Sequence, residues 1–275
     1  MNQGLAFLQY LLDDATQHRG YSALGTARSA LSAIIVLPNG QKFGDHPNVK
    51  LFMKGIFNLK PPQPRYVKIW DCDQVLKLLE TWAPAQKLTL KRLSMKLAML
   101  ILLVSGQRGQ VLRGLRVDHM DISDTAITFQ LKNSDLKQGR PGYKPQLQNF
   151  TKFENKKLCV YHYISSYLKR TLTVRGSIKQ LFLTTVKPYK AASRDTLTKW
   201  IKMVLEAAGI DISIFKAGST RSAANSKAAQ KGASMEEILQ AGGWSNQSTF
   251  TKWYNRPIKR SRSSNLGKYI LGNSK

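Results

Sequence analysis

Apolar residues recur at helical spacing along residues 1–60. Leu5, Leu8 and Leu12, with Phe7 and Leu11, mark a first helix. A second periodic run covers Thr26–Val36 and stops at Pro38-Asn39-Gly40. Pro47 suits the first turn of a third helix, whose inner face would hold Val49, Phe52, Met53 and Ile56. Lys60–Arg65 then reads KPPQPR. Prolines at that density cannot continue a helix and stiffen an extended linker. The pattern therefore predicts a helical domain over 1–60, a proline-rich linker over 61–70, a main domain over 71–257 and a tail over 258–275.

Past the linker, Asp71 or Asp73 can cap a short helix through Leu79. Thr89 can cap a longer one, with Leu93, Leu97, Leu100, Ile101 and Val104 on one face, and Gly106 ends it. Arg108 follows at once, opening a short helix through Leu115, a placement that presents its charge from a rigid element. Arg113 and Arg116 nearby read as surface charges. Ala126–Leu131 alternates as a strand, and Leu147–Phe150 can pair back with it. Between them lies a turn-rich tip carrying Lys132, Lys137, Arg140 and Lys144. Leu158–Leu168 reads as a helix and Leu181–Thr185 as a short strand. Asp195 would cap an amphipathic helix with Leu197, Trp200, Ile201, Val204, Leu205 and Ala208 on one stripe, stopped by Gly209. The fold class expected is mainly α with a small β-sheet.

Charge changes the picture most. The chain has 43 Lys and Arg against 16 Asp and Glu, a net charge of +27 over 275 residues. Self-repulsion of that size is relieved by a polyanion. Nucleic acid is the first partner to consider, an anionic membrane surface the second, and a solvated basic face the third. With 42% apolar residues a packed core can form. The longest apolar run, Leu97–Val104, is eight residues, well short of the ~20 a bilayer span needs. The N-terminus lacks the pattern of a secretory signal. Cys72 and Cys159 have no metal or redox spacing, and His18, His46, His119 and His162 are scattered, so neither a metal nor another cofactor is expected. After Glu154 the only acids are Asp195, Glu206, Asp211, Glu236 and Glu237. They form no convergent set of the kind a two-metal transposase uses.

Candidate chemistry centres on Ala217–Pro257. This stretch holds Arg221, a helical segment, the turn Gly242-Gly243-Trp244, and Tyr254 ten residues beyond the tryptophan. Read alone, it is equally a helix, a turn and a second helix with buried aromatics. With Arg108 and the lysine hairpin upstream, the order becomes specific. The stretches ALGTARSALSAI, VKLFMKGIFNLKPPQPRY, SMKLAMLILLVSGQRGQ, LKQGRPGYKP and GGWSNQSTFTKWYNRP together resemble the tyrosine recombinase (integrase) superfamily. Within it they are most similar to recombinases of eukaryotic DIRS-type retrotransposons, with Crypton-type elements as relatives. The resemblance covers nearly the whole chain.

The resemblance implies an N-terminal core-binding domain that clamps DNA and an α+β catalytic domain. It implies that Tyr254 attacks the scissile phosphate and forms a 3′-phosphotyrosyl link. Arg108 and Arg221 would bind the non-bridging oxygens, and Trp244 would donate its indole N–H to the phosphate. Lys137 would protonate the leaving 5′-oxygen, with Lys132 as the competing assignment. Double-stranded DNA, self-association as a dimer or tetramer on DNA, no membrane, no cofactor and a nuclear location follow from the same likeness. The residue types suit the reaction. Two planar, permanently charged guanidiniums match phosphate oxygens in bidentate fashion. A phenol, ordinarily titrating near ~10, becomes a competent nucleophile among cations.

Two departures stand out. The superfamily's second box usually reads His-x-x-Arg, whereas Gly218 stands three residues before Arg221, with Lys216 nearby. Many members also place the tyrosine nine residues after the His/Trp position; here that residue is Trp253, and Tyr254 is the tenth. Tyr269 is a poorer alternative nucleophile. Three readings remain open: an active recombinase, a DNA-binding derivative without turnover, and a type IB topoisomerase-like enzyme with the same chemistry.

Overall fold

The computed structural model describes residues 1–13, 20–132 and 147–258. The chain divides between Arg65 and Tyr66, within the proline-rich stretch, into two units. In the first, α1 (Asn2–Asp13), α2 (Tyr21–Ile34) and α3 (Pro47–Leu59) pack together. His46 caps α3 by accepting from the Asn48 N–H, and Pro47 sits in the first turn as its fixed φ favours. Val49, Met53 and Ile56 are buried and Phe52 half-buried, the face that the spacing predicts. α2 begins five residues before the predicted Thr26, at Tyr21. Lys42, Lys50, Lys54 and Lys60 are exposed, and Arg28 is half-buried.

The second unit is built around α5 (Leu90–Ser105), capped by Thr89, whose side chain accepts from the Arg92 N–H. Every residue from Leu93 to Leu102 is buried. The expectation of a one-sided helix is therefore corrected. α5 is enclosed by α7 (Val160–Arg175), α8 (Arg194–Ala207) and α9 (Ser219–Gln230), and only its ends are open, with Lys91 and Arg92 exposed at one and Val104 57% exposed at the other. Lys96 sits inside this core at 0% exposure. Its amine donates to the carbonyls of Leu79 and Trp82 and to Tyr163 Oη at 2.6, 2.6 and 2.7 Å, closing the end of α4 (Cys72–Thr81). Burial pushes its pKa down to about 7.

Asp71, rather than Asp73, caps α4. Ser193, rather than Asp195, caps α8: its hydroxyl accepts from the Thr196 N–H, and Asp195 lies in the first turn. β2 (Ala126–Phe129) pairs antiparallel with β3 (Gln148–Thr151) as the alternation predicts, and with a third strand, β1 (Met120–Ile122), giving the order β1-β2-β3. Ile127 and Phe150 are Cα partners and turn into the core. β1 is three residues long, too short for an alternating signal. Leu181–Thr185 forms no strand; only isolated bridges, Arg116 to Gln180 and Leu183 to Ala191, occur around it. Leu181 and Leu183 are buried there beneath Tyr167, whose hydroxyl accepts from the Leu183 N–H. α6 (Val111–Gly114) is a single turn. α10 (Met235–Gly242) and α11 (Gln247–Trp253) are the last helices among the described residues.

Candidate active site

α9 is an unusual buried helix. Residues Ser219 to Ser226, STRSAANS, are all buried, yet most are small or polar. Small side chains let the helix sit close against α5, α4 and α10. The polar groups then need partners inside the protein, and the partners found are the elements of the site. Trp70 Nε1 donates to Ser219 Oγ at 2.9 Å, fixing the start of the helix. Asn225 Nδ2 donates to Gly106 O at 2.9 Å and to Arg221 O at 2.7 Å. Ser222 and Ser226 bond the main-chain carbonyl of Tyr254.

Arg221 is 3% exposed and donates to Gly242 O at 2.7 Å. Its guanidinium carbon lies 3.9 Å from the Trp244 ring centroid and 5.2 Å from that of Tyr254. The two rings are 4.9 Å apart at 54°. Arg221, Trp244 and Tyr254, well separated in sequence, thus form one cluster. Phe250 backs it, 5.2 Å from Trp244. The Trp244 indole is 9% exposed, and its Nε1 has no hydrogen-bond partner among the described residues. A buried N–H left unpaired is costly, so this donor is a polar group that the described fold leaves unsatisfied. The Tyr254 ring is half-buried.

The two glycines before Trp244 have different reasons. Gly243 takes a left-handed conformation, φ 65°, to end α10. A Cβ on Gly242 would lie 2.0 Å from the indole. Only glycine there lets the tryptophan fold back on the helix end while the Gly242 carbonyl faces Arg221.

Arg108 stands in the loop between α5 and α6 and is half-buried. No hydrogen bond or ion pair of its guanidinium occurs among the described residues. The loop itself is tied down. Gly106 is left-handed, φ 60°, and a Cβ there would lie 2.6 Å from the Asn225 amide. Gln107 Nε2 donates to Ala241 O. The base of Arg108 is thus fixed to the helix of Arg221 and to the end of α10. This corrects the expected helical placement: Arg108 precedes α6 in a turn, its carbonyl accepting from the Val111 N–H. Arg113 is exposed, as expected, and Arg116 pairs with Asp118 at 2.7 Å.

Lys132 is exposed just beyond β2. Lys137 and the tip of the hairpin lie outside the described residues, as do Tyr269 and the basic tail from Lys259. Gly218 is exposed and a Cβ on it would meet nothing within 4 Å. The Lys216 amine is engaged by the carbonyls of Ile212 and Ser213 at 3.3 and 2.9 Å. Among the described residues no three His, Cys, Asp or Glu side chains could together hold a metal ion, and no helix is long and apolar enough to cross a membrane. Sequence reasoning missed Ser222, Asn225 and Ser226 because small polar residues read as solvent-facing. Their one signal was the run of small residues directly after Arg221.

The phage integrase family model matches residues 69–260, more than half of the chain. The chain belongs to the phage integrase family. Solved structures of this family's fold align with it at low sequence identity. The Tn1549 transposon integrase in complex with transposon right-end DNA is similar with TM-score 0.57 and 15% identity over 96% of this chain and 84% of that one. A lambda integrase dimer bound to a COC′ core site gives 0.55 and 14% over 96% and 67%. The XerH site-specific recombinase bound to difH substrate, in a pre-cleavage complex, gives 0.56 and 13% over 89% and 65%. This integrase-family chain therefore spans about two thirds of the XerH chain. Among curated proteins no sequence matches it. The mostly helical architecture with a three-stranded sheet is the tyrosine recombinase catalytic fold.

Proposed function

We propose that the chain is a DNA strand-transferase that works through Tyr254. Tyr254 Oη attacks the scissile phosphorus, a P–Oη bond forms as the P–O5′ bond breaks, and the phenol proton passes to solvent. The leaving 5′-oxygen takes a proton from Lys137 in the hairpin, with Lys132 as the second choice. Attack by another 5′-hydroxyl reverses the steps and reseals the strand. One phosphodiester is exchanged for another through an ester of similar energy, so no ATP is required. Arg221 and Arg108 hold the non-bridging oxygens, where fixed donors are often the largest catalytic term. Trp244 Nε1 gives a further hydrogen bond.

The observation that carries this reading is the joint presence of Arg221, Trp244 and Tyr254 in one cluster, with the indole N–H unpartnered among the described residues. The net charge of +27 supports double-stranded DNA as the partner. Similar solved structures include a lambda integrase dimer bound to a COC′ core site and a lambda integrase tetramer bound to a Holliday junction, which supports self-association of this chain on its site. Residues 1–60 act as the DNA clamp, 61–70 as the linker, 71–257 as the catalytic domain and 258–275 as a basic tail. The sequence likeness to DIRS-type and Crypton-type elements supports a mobile-element integrase working in the nucleus.

Gly218 favours a second reading, a DNA-binding derivative without turnover. Its position has room for a side chain, so Gly218→His is a fair restoration. The two are separated by covalent capture. The protein is incubated with a pool of nicked suicide duplexes carrying a randomised core, and adducts stable to denaturant are recovered. The recombinase reading expects an adduct that Tyr254→Phe abolishes. DNA binding with no adduct from the wild-type chain, under conditions where Gly218→His forms one, would establish the derivative instead.

A further inference from the structure

Ser222 and Ser226 do something a helical serine seldom does. Such a hydroxyl ordinarily bonds a carbonyl of its own preceding turn, as Thr220 does with Ala217 O at 2.9 Å. Ser222 and Ser226 instead leave their helix and both donate to the carbonyl of Tyr254, at 2.5 and 2.9 Å. They are 4% and 3% exposed. Ser226 Oγ also accepts from the Arg256 N–H at 2.9 Å. The Tyr254 and Asn255 N–H groups go to Phe250 O at 2.8 and 2.9 Å. The Arg256 guanidinium returns to the carbonyls of Thr251 and Lys252 at the end of α11. Every main-chain N–H from Tyr254 to Arg256 is thereby bound, and the Tyr254 carbonyl is bound twice.

We propose that Ser222 and Ser226 are positioning residues for the nucleophile. They fasten Tyr254 to the helix that carries Arg221, so the phenol and the guanidinium reach a phosphate in one fixed relation. α11 has only seven residues, and a helix that short does not hold its own geometry. The serines supply what it lacks. Neither hydroxyl takes part in the chemistry; both act through the main chain of Tyr254. The proposal rests on the recombinase reading above.

The test uses the full chain and a duplex recovered by the covalent capture. Ser222→Ala/Ser226→Ala is expected to form adduct about ten- to a hundredfold more slowly, the penalty of a misplaced reacting group. Each single variant, keeping one bond, should fall between, and DNA affinity should not change. A second arm separates positioning from damage to the helix. In a Tyr254→Phe background hydrogen peroxide is supplied: its anion attacks phosphorus, the P–O5′ bond breaks, and the 5′-oxygen leaves as an alcohol. That reaction needs Arg221 but no phenol, so the two alanines should leave its rate unchanged. Adduct formation at the wild-type rate overturns the proposal alone, as does equal slowing in both arms. If the double variant does not fold, wild-type rates in both single variants overturn it. No adduct from either the wild-type chain or Gly218→His overturns the recombinase reading and this proposal with it.

Discussion

α5 and α9 lie side by side and are both buried, yet they are held there by different forces. α5 is mostly leucine, methionine, isoleucine and alanine, with Ser94 and Lys96 among them, buried from Leu93 to Leu102 and stabilised chiefly by removal of apolar surface from water. α9 offers little such surface. Its buried residues are two alanines among serine, threonine, asparagine and arginine, and all the polar ones but Thr220 reach another part of the site: Trp70, Gly106, Gly242 or Tyr254. One helix makes the fold, and its neighbour uses that fold to align distant segments. Apolar contact is tolerant of direction, whereas hydrogen bonds fix it. That explains why the segments of the candidate site converge on the polar helix.

Substitutions on the two helices should therefore separate stability from activity. The largest change is expected from Leu100→Ala, fully buried on α5. It should cost about 2–5 kcal/mol of unfolding free energy, read by denaturant titration. Cleavage per folded molecule should stay near wild type. Next comes Arg221→Lys on α9, which keeps the charge but loses the planar fork. Its adduct formation should fall by about 10²–10³-fold, with DNA binding retained. Equal losses of stability and activity in both variants would erase the contrast.

A pH effect sharpens the contrast from the side of α5. Burial pushes Lys96 down to about 7 in the fold, against ~10.4 for a free lysine. Between those values the unfolded chain holds a proton that the native chain has released, so this group makes stability rise with pH, starting near 7. From pH 7 to 9 the gain should be about 2 kcal/mol, measured as the difference between wild type and Lys96→Met in the same buffers. A gain of the same size in Lys96→Met would assign it elsewhere. The smallest effect belongs to the edge of α9. Lys227 bonds Asp71 and Asp73 at 2.9 and 2.6 Å. Burial opposes its charge, but the hydrogen bonds it donates to the two carboxylates hold its pKa above the usual value. The pairs are partly exposed, so Lys227→Met should cost under about 1 kcal/mol, less still in high salt.

The same contrast explains what could be read from the sequence. The apolar residues of α5, the inner face of α3, the pairing of β2 with β3 and the proline-rich break all follow from periodicity and turn chemistry. The sequence also named Arg221, Trp244 and Tyr254, which the fold brings together. It could not show that α5 is enclosed all round, because an apolar run looks alike whether one face or every face is covered. It missed β1, too short to alternate, and it took Leu181–Thr185 for a strand because buried apolar residues in a loop mimic one. α9 was the least legible. Its serines and Asn225 look solvated until the carbonyls of Tyr254 and Gly106 are found opposite them, and those partners are 32 and 119 residues away. The Gly242 requirement was equally hidden, since it arises from an indole folded back in space.

The most direct test of the central claim is to map the adduct itself. After covalent capture, the DNA is trimmed by nuclease, the protein is digested, and the modified peptide is sequenced by tandem mass spectrometry. The account predicts a 3′-phosphonucleotide on Tyr254. The same modification on Tyr269, or on any other residue, would contradict it.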